Sequence, residues 1–432
     1  MMRLRFKTAA LFLLLFTACH FRVPQDPFTL VWHLGAEPDT LNPIIASDAF
    51  ASYLNSFIYE TLIERDNKTL EWKPKLATHW TISPDHRTFT YFLRTDVKWQ
   101  DGQPFTADDI VFSFRKIMDP AVDAPQLRVY YKDIIDAKKI DDATVQFTYR
   151  TPYFMALGFT GSLPIVPQHL FKEGDDFNKH PIGRAPVGTG PYRFEKWVTG
   201  KGIRVVRNEN YWGKKPEIRA IDFEVVAENA VALQVLKKGE LDFAGLRPIQ
   251  WVRQTDSEKF LKRFQKFSYY TPNYSYIAWN NRHPIFGDKR VRQAMTRLIN
   301  REAILEKLNF GLGKIVTGPF YLESDSYDPS VPVIPYDPAE AKALLAEAGW
   351  KDSDGDGVLD KGGKPFEFEF LIPSGSRFSE RLGTILKEDM AKAGIRVTIH
   401  SLEWALFTKN LDDRKFDAVT LAWSLGFDQD PY

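Results

Sequence analysis

The clearest pattern of apolar and polar residues lies in residues 88–120, where it predicts a strand, a tight turn and a helix. Between residues 88 and 93 apolar side chains alternate with others, as in a strand that buries one face more deeply. The dipeptide Asp101–Gly102 is a turn signal, because glycine accepts the positive φ that a tight turn requires. Thr106 predicts a helix N-cap, with Asp109 three residues later. An apolar stripe at helical spacing follows and ends before Pro120; it contains Ile110, Val111, Phe114 and Ile117.

The same signals predict further helices and strands along the chain, which together indicate an α/β fold. Helices are predicted for residues 52–64, 229–238 and 380–393, the last two ended by Gly239 and Gly394. Strands are predicted for residues 28–33, 138–149 (as an arm of a hairpin), 241–244 and 395–401.

The composition narrows the class of protein. At 432 residues the chain is too long for one core, so two or three domains are expected. Lys and Arg number 57 against 56 Asp and Glu, so there is no basic field for a nucleic-acid partner. Eight His residues show no HExxH motif, there is no GxSxG motif, and a single Cys excludes an intramolecular disulfide.

The N-terminal residues 1–19 have the pattern of a targeting segment. Basic residues precede the apolar run Ala9–Phe16, which is far shorter than the ~20 residues of a membrane span. The sequence Phe16–Cys19 resembles a lipobox, which implies a signal peptide that ends at Cys19 and a lipid anchor on that cysteine. The alternative is an ordinary secretory signal with an incidental Cys. Two acyl chains would hold the folded part at a membrane surface while it stays in water.

Several dense motifs carry a resemblance to one family. The longest is Leu93–Phe114, LRTDVKWQDGQPFTADDIVFSF. Further matches are Glu37–Pro43 (EPDTLNP), Lys75–Trp80 (KLATHW), Ala185–Tyr192 (APVGTGPY) and Asn208–Trp212 (NENYW). On these segments the chain resembles the family 5 extracellular solute-binding proteins, the oligopeptide and dipeptide receptors of bacterial ABC importers.

The resemblance implies a two-lobed, periplasmic-binding-protein-like α/β fold of type II, in the three-domain peptide-binding subtype and C-terminally truncated. We expect a signal peptide (1–19), a tether (20–27), a discontinuous domain I (28–64 and 184–268), domain II (65–183) and domain III (269–432). Domain III would be incomplete relative to the family, because the chain stops at Tyr432.

The resemblance also implies a function without catalysis. The protein would capture oligopeptides between its lobes by hinge closure and deliver them to an ABC permease and its ATPase. It would need no cofactor, act as a monomer and be anchored at the periplasmic or extracellular face of the cell envelope. Alternatives are an oligosaccharide receptor of the same fold, a sensor of signalling peptides, and a secreted hydrolase of peptides or sugars.

The expected ligand contacts come from the resemblance alone. Trp404 and Trp423 would line side-chain pockets, and the backbone around Ala422 and Ser424 would pair with an extended peptide as an added strand. Many peptide receptors of this family place an Asp for the ligand's ammonium group where this chain has Gly426. Asp428 or Asp430 would have to replace it. The full set of expected contacts is Ser47, Ala49, Tyr130, Trp404, Ala422, Trp423, Ser424, Gly426 and Asp428.

One acidic loop resembles a calcium site. Residues 352–360, DSDGDGVLD, match the first nine positions of an EF-hand loop. Gly363 stands at the twelfth position, where a bidentate Glu is expected, and this argues for an ordinary solvated turn. The calcium ligands would be Asp352, Asp354, Asp356 and Asp360.

Overall fold

The structure is a computed structural model that describes residues 26–425. Its first part alternates short strands with helices. In chain order these elements are β1 (Thr29–Leu34), α1 (Ala49–Ile58), β2 (Ile63–Arg65), β3 (Trp72–Pro74), β4 (Ala77–Ile82), β5 (Thr88–Leu93), α2 (Ala107–Met118), α3 (Pro125–Tyr131), β6 (Ile134–Asp141), β7 (Thr144–Tyr149) and α4 (Ala156–Gly161).

Three short 3₁₀ turns at Gln168–Leu170, Phe177–Lys179 and Pro181–Gly183 lead into the second part. Its elements are β8 (Tyr192–Val198), β9 (Gly202–Arg207), β10 (Ala220–Val225), α5 (Asn229–Lys238), α6 (Pro248–Arg253), α7 (Glu258–Leu261), β11 (Asn273–Trp279), α8 (Lys289–Arg297), α9 (Arg301–Asn309), α10 (Pro338–Glu347), β12 (Asp360–Lys361), β13 (Lys364–Pro365), β14 (Glu367–Pro373), α11 (Arg377–Lys392), β15 (Arg396–Leu402), α12 (Trp404–Asp412) and β16 (Ala418–Ser424).

Three four-stranded sheets organise these elements. The first has the order β1-β10-β9-β8, in which β1 is parallel to β10 and the other pairs are antiparallel. The second, β4-β5-β7-β6, is antiparallel throughout. The third, β11-β16-β14-β15, combines an antiparallel pair with two parallel pairs. Since β1 pairs with β10, the chain leaves the first sheet, builds the second and then returns.

The hydrophobic cores divide the molecule into two lobes. One core runs from the first sheet to the second through α1, joining Leu34 and Phe223 to Tyr91 and Phe147. A separate core lies under the third sheet, around Phe286 and other buried residues of its helices. The fold is therefore the expected two-lobed α/β fold, with the first two sheets in one lobe and the third sheet in the other.

A glycine loop joins the first two sheets, and its glycines are required by close approach. A Cβ on Gly188 would overlap the carbonyl oxygen of Ile58 at the end of α1, and one on Gly190 would lie 2.7 Å from it. The Gly190 N–H donates to that same carbonyl at 2.9 Å. Gln100 clamps the loop, because its backbone N–H donates to the Gly188 carbonyl and its side chain accepts from the Gly188 N–H. The segment is thus a crossover that runs into strand β8, not a phosphate-binding loop.

Three predicted elements are wrong in extent or kind. The hairpin arm expected at residues 138–149 is the end of β6, a turn and the whole of β7, which are the two arms of one hairpin. The helix expected at residues 52–64 ends at Ile58, because the crossover loop and the Gln100 side chain bond to its terminal carbonyl; a strand follows instead. The strand expected at residues 241–244 is one bridge between Trp32 and Phe243. In the described residues no helix is both long and apolar enough to cross a membrane.

Candidate functional site

A large cleft lies between the two lobes, with a volume of about 1970 Å³. Residues 65–70, 242–246 and 263–271 of the first lobe line it on one side. Residues 273–277 and 311–319 of the second lobe line the other side. A cleft of this kind at a domain interface is the usual place for a ligand.

Aromatic side chains make up much of the cleft lining. Tyr269 is 80% exposed and Phe267 is 65% exposed, although both lie in the cleft wall. Tyr274 and Tyr276 line the opposite wall, with ring centroids 5.8 Å apart. Large aromatic rings left open to water in a concave site offer contact area to a ligand.

Strand β16 leaves one backbone edge open near this cleft. It pairs with β11 along its whole length, from Ala418 to Ser424. Its other edge pairs with β14 only at Ala418 and Val419. Among the described residues no strand covers that edge from Thr420 onward, and Thr420 itself lines the cleft. An uncovered strand edge can accept an extended chain as an additional strand.

The expected contacts on β16 lie next to the cleft and not in its lining. Trp423 is 51% exposed and stacks on Tyr276, which lines the cleft, with centroids 6.5 Å apart. Ala422 and Ser424 are exposed along the uncovered edge. Trp404 is 55% exposed at the start of α12 and stacks on Phe407 of its own helix.

The remaining expected contacts are farther apart. Ser47 and Ala49 are exposed on either side of Asp48, which caps α1 by accepting the Ala51 N–H at 2.8 Å. Tyr130 lies on α3 beside the second sheet, where it is half-exposed and stacks on Phe159. None of these three residues lines the cleft described above, and their roles stay predictions. Cys19, Gly426, Asp428 and Asp430 lie outside the described residues.

Three of the four expected calcium ligands in the acidic loop lie close together, as in a metal site. Carboxylate oxygens of Asp352, Asp354 and Asp356 lie within 4.8 Å of one another and are exposed. Asp360 instead accepts hydrogen bonds from the backbone N–H of Ser353 at 2.8 Å and from its hydroxyl at 2.6 Å. These bonds hold the pKa of Asp360 below its usual value. The fourth expected ligand is therefore already used to close the loop.

A buried carboxylate that the sequence patterns did not single out ties several of the motifs together. Glu60 accepts hydrogen bonds from the Tyr211 hydroxyl at 2.7 Å, the Trp212 indole at 2.9 Å and the Thr189 hydroxyl at 3.0 Å. Lys75 forms an ion pair with it at 3.2 Å, and the neighbouring carboxylates keep the pKa of Lys75 raised despite partial burial. The motif residues thus build the joint between the first two sheets and do not form the cleft.

The cleft wall carries more cationic than anionic side chains, another feature that the sequence analysis missed. No local motif marks these residues, because they come from distant segments. The cleft is lined by six cations and three carboxylates: Arg65, Lys68, Arg263, Lys266, Arg301 and Lys314, with Asp66, Asp242 and Glu323.

Comparisons with known proteins agree with this architecture. The oligopeptide-binding protein AppA of Bacillus subtilis is 29% identical over 427 residues, which cover 95% of this chain and 76% of that protein. Its structure in complex with a nonapeptide matches with a TM-score of 0.72 and 26% identity, over 94% of this chain and 81% of that one. NikZ from Campylobacter jejuni, solved in complex with Ni(L-His), matches with a TM-score of 0.77 and 26% identity, over 94% and 79%.

The family model described as bacterial extracellular solute-binding proteins, family 5 Middle, matches residues 71–432. This span contains both the Leu93–Phe114 motif and the whole second lobe that faces the cleft. The chain therefore belongs to family 5 of the bacterial extracellular solute-binding proteins.

Proposed function

We propose that this protein is the substrate-binding component of an ABC importer and that its substrates are peptides. The observation that carries the proposal is the uncovered edge of β16 beside the interlobe cleft. From Thr420 to Ser424 this edge has no partner strand in the described part of the chain. An extended peptide would bind there through its main chain, a mode that tolerates many side chains.

The comparisons support a peptide as the ligand. Relatives of this chain are named as an oligopeptide-binding protein and a dipeptide-binding protein. Tyr274 and Tyr276 of the cleft wall, with Trp423 stacked on Tyr276 beside the cleft, would hold side chains of a bound peptide. By resemblance, Trp404, Ala422 and Ser424 would also contact it.

The mechanism is capture and release without a covalent step. The peptide enters the open cleft, the lobes rotate about the segments that join them, and the closed form is recognised by a membrane permease. The permease's ATPase supplies the energy for import. As in family members, which are substrate-binding components, the protein itself would leave the peptide unchanged.

The location follows from the same proposal. Cys19 would carry two acyl chains after the leader is removed, which holds the protein at the periplasmic or extracellular face of the envelope. The three domains would follow the three sheets, with domain I formed from residues 28–64 and 184–268.

The proposal is tested with a thermal-shift screen of di- to pentapeptides and oligosaccharides on the purified protein. A peptide present at about 100 times its dissociation constant should add ~2.7 kcal/mol to the unfolding free energy. Each peptide that binds is then compared with an analogue N-methylated at alternate residues, which lacks the main-chain donors for strand addition. We expect the analogue to lose binding. A screen in which only sugars raise the melting temperature would overturn the peptide assignment.

A further inference from the structure

Three of the six cations that line the cleft have no carboxylate within 4 Å among the described residues, and this deepens the proposed function, on which it rests. Arg301 is the first residue of α9, and its guanidinium donates to the Ile334 carbonyl at 3.0 Å. Among the described residues this is its only side-chain hydrogen bond, and none of their carboxylates pairs with it. Burial lowers the pKa of Arg301 from its ordinary value, and the neighbouring Glu302 carboxylate offsets only part of this shift.

Two further cations of the cleft also lack an ion pair with any described carboxylate. The Lys314 ammonium lies 5.3 Å from the centroid of the Tyr270 ring. Arg263 donates to the Lys237 carbonyl at 3.2 Å and lies over Phe264. Neither has a carboxylate within 4 Å in the part of the chain that the structure describes. These three cations come from both walls, since Arg263 belongs to the first lobe and the others to the second.

The three carboxylates of the cleft each accept hydrogen bonds from other residues of the protein. Asp242 accepts the backbone N–H of Val31 at 2.8 Å. Glu323 accepts the Tyr321 hydroxyl at 2.7 Å, and burial together with this bond raises the pKa of Tyr321 to about 12, so that it stays a neutral donor.

The third carboxylate is held within its own turn. Asp66 accepts the backbone N–H groups of Lys68 and Thr69 at 2.8 and 3.0 Å, and it lies 3.7 Å from the Lys73 ammonium. These bonds hold the pKa of Asp66 below its usual value. All three carboxylates of the cleft thus accept hydrogen bonds from the protein, and the six cations outnumber them, so the lining carries an excess of positive charge.

We infer that the cleft selects peptides with net negative charge, whose carboxylates pair with Arg301, Lys314 and Arg263. Lobe closure removes water from the cleft, and a cation that is buried without a partner is costly. A carboxylate offsets that cost, and a guanidinium binds it with two parallel hydrogen bonds. An acidic peptide therefore favours the closed form, whereas a basic peptide opposes it.

The experiment is isothermal titration with three matched peptides, Ala-Glu-Ala-Glu, Ala-Gln-Ala-Gln and Ala-Lys-Ala-Lys, at low and high salt. The acidic peptide should bind at least about tenfold more tightly than its Gln isostere, the basic peptide most weakly, and salt should reduce the difference. Binding of the Gln or Lys peptide as tightly as the Glu peptide would overturn the inference and leave the proposed function intact. Failure of all three to bind would overturn the peptide function as well.

Single-residue variants then test which cations produce the preference for acidic peptides. Lys314→Gln and Arg301→Gln should each reduce the Glu-to-Gln preference several-fold, while the affinity for the Gln peptide stays nearly unchanged. Lys214→Gln, an exposed lysine outside the cleft, is the matched control and should keep the full preference. Lys314 is exposed, and among the described residues its ammonium only approaches the Tyr270 ring, so its variant tests the inference even where Arg301→Gln fails to fold. An unchanged preference in Lys314→Gln would contradict the assignment.

Discussion

Replacement of Glu60 by Ala tests the joint between the first two sheets. The Glu60 side chain is only 3% exposed and is shared by four partners from three segments. Thr189, Tyr211 and Trp212 donate hydrogen bonds to it, and Lys75 pairs with it. Removal of the carboxylate leaves three hydrogen-bond donors without an acceptor. It also takes from the Lys75 ammonium its buried counter-charge, in a site that water reaches poorly.

The chain offers an internal comparison for the size of this effect. Lys75 also pairs with Glu64 at 3.2 Å, the same distance as its contact with Glu60, but the Glu64 side chain is 37% exposed. Loss of one partner of a buried pair costs about 3–5 kcal/mol. Loss of an exposed pair costs about 0–1 kcal/mol. Glu60→Ala should therefore destabilise the protein by about 3–5 kcal/mol, and Glu64→Ala by less than about 1 kcal/mol.

The assay is urea unfolding followed by tryptophan fluorescence and by far-ultraviolet circular dichroism. Coincident transitions by the two probes are required, because a chain with several domains does not always unfold in one step. Glu60→Gln should lie between the two Ala variants, since its amide oxygen still accepts hydrogen bonds while its NH₂ group faces donors. Equal losses from Glu60→Ala and Glu64→Ala would refute the argument that burial makes this network strong.

Three further perturbations test other parts of the structure. Gly188→Ala places a methyl group against the Ile58 carbonyl and should cost about 1–3 kcal/mol in urea unfolding, whereas Gly287→Ala, with its nearest neighbour at 3.8 Å, should cost none. Asp288→Asn keeps the N-cap but removes a carboxylate whose pKa is lowered to about 2 by hydrogen bonds from Arg290. The wild type should therefore be more stable above pH 4, by about 0.2–1 kcal/mol, and should lose this advantage as pH falls towards 2. Addition of calcium or EDTA should leave the melting temperature unchanged, because the Asp360 carboxylate already accepts two hydrogen bonds from Ser353.

Each of these expectations has a clear contrary result. Equal melting curves for the Gly188 and Gly287 variants would show that the crossover loop can shift away from α1. A difference between wild type and Asp288→Asn that grows as pH falls would reverse the assigned sign. A rise in melting temperature with calcium, absent in Asp352→Asn, would show that the acidic loop binds the ion after all.

Local signals in the sequence were sufficient to predict helices whose ends are capped by residues close by in the chain. Helix α2 begins after Thr106, whose backbone N–H donates to the Asp109 carboxylate at 3.0 Å. That carboxylate also accepts the Trp99 indole at 3.1 Å, so both residues are buried for structural reasons. Gly239 ends α5 in the left-handed conformation, with φ of 80°. Such caps need only neighbouring residues, which is why pattern and spacing predict them.

Tertiary contacts decided the features that the sequence could not predict. The end of α1 at Ile58 depends on Gly190 and Gln100, which are far away in the chain. The cationic wall of the cleft arises only when the segments containing Arg263 and Arg301 face each other across it. A single sequence gives no information on which distant side chains share a wall, so motif matching found the family and missed the charge of its cleft.

The central claim is that the cleft binds a peptide and releases it unchanged. The most direct measurement incubates the purified protein with a defined mixture of peptides, isolates the complex by gel filtration and identifies the bound molecules by mass spectrometry after denaturation. We predict that peptides co-elute with the protein at their original masses, with acidic sequences enriched. Recovery of cleaved peptides, or of protein that carries no peptide from the mixture, would contradict the account.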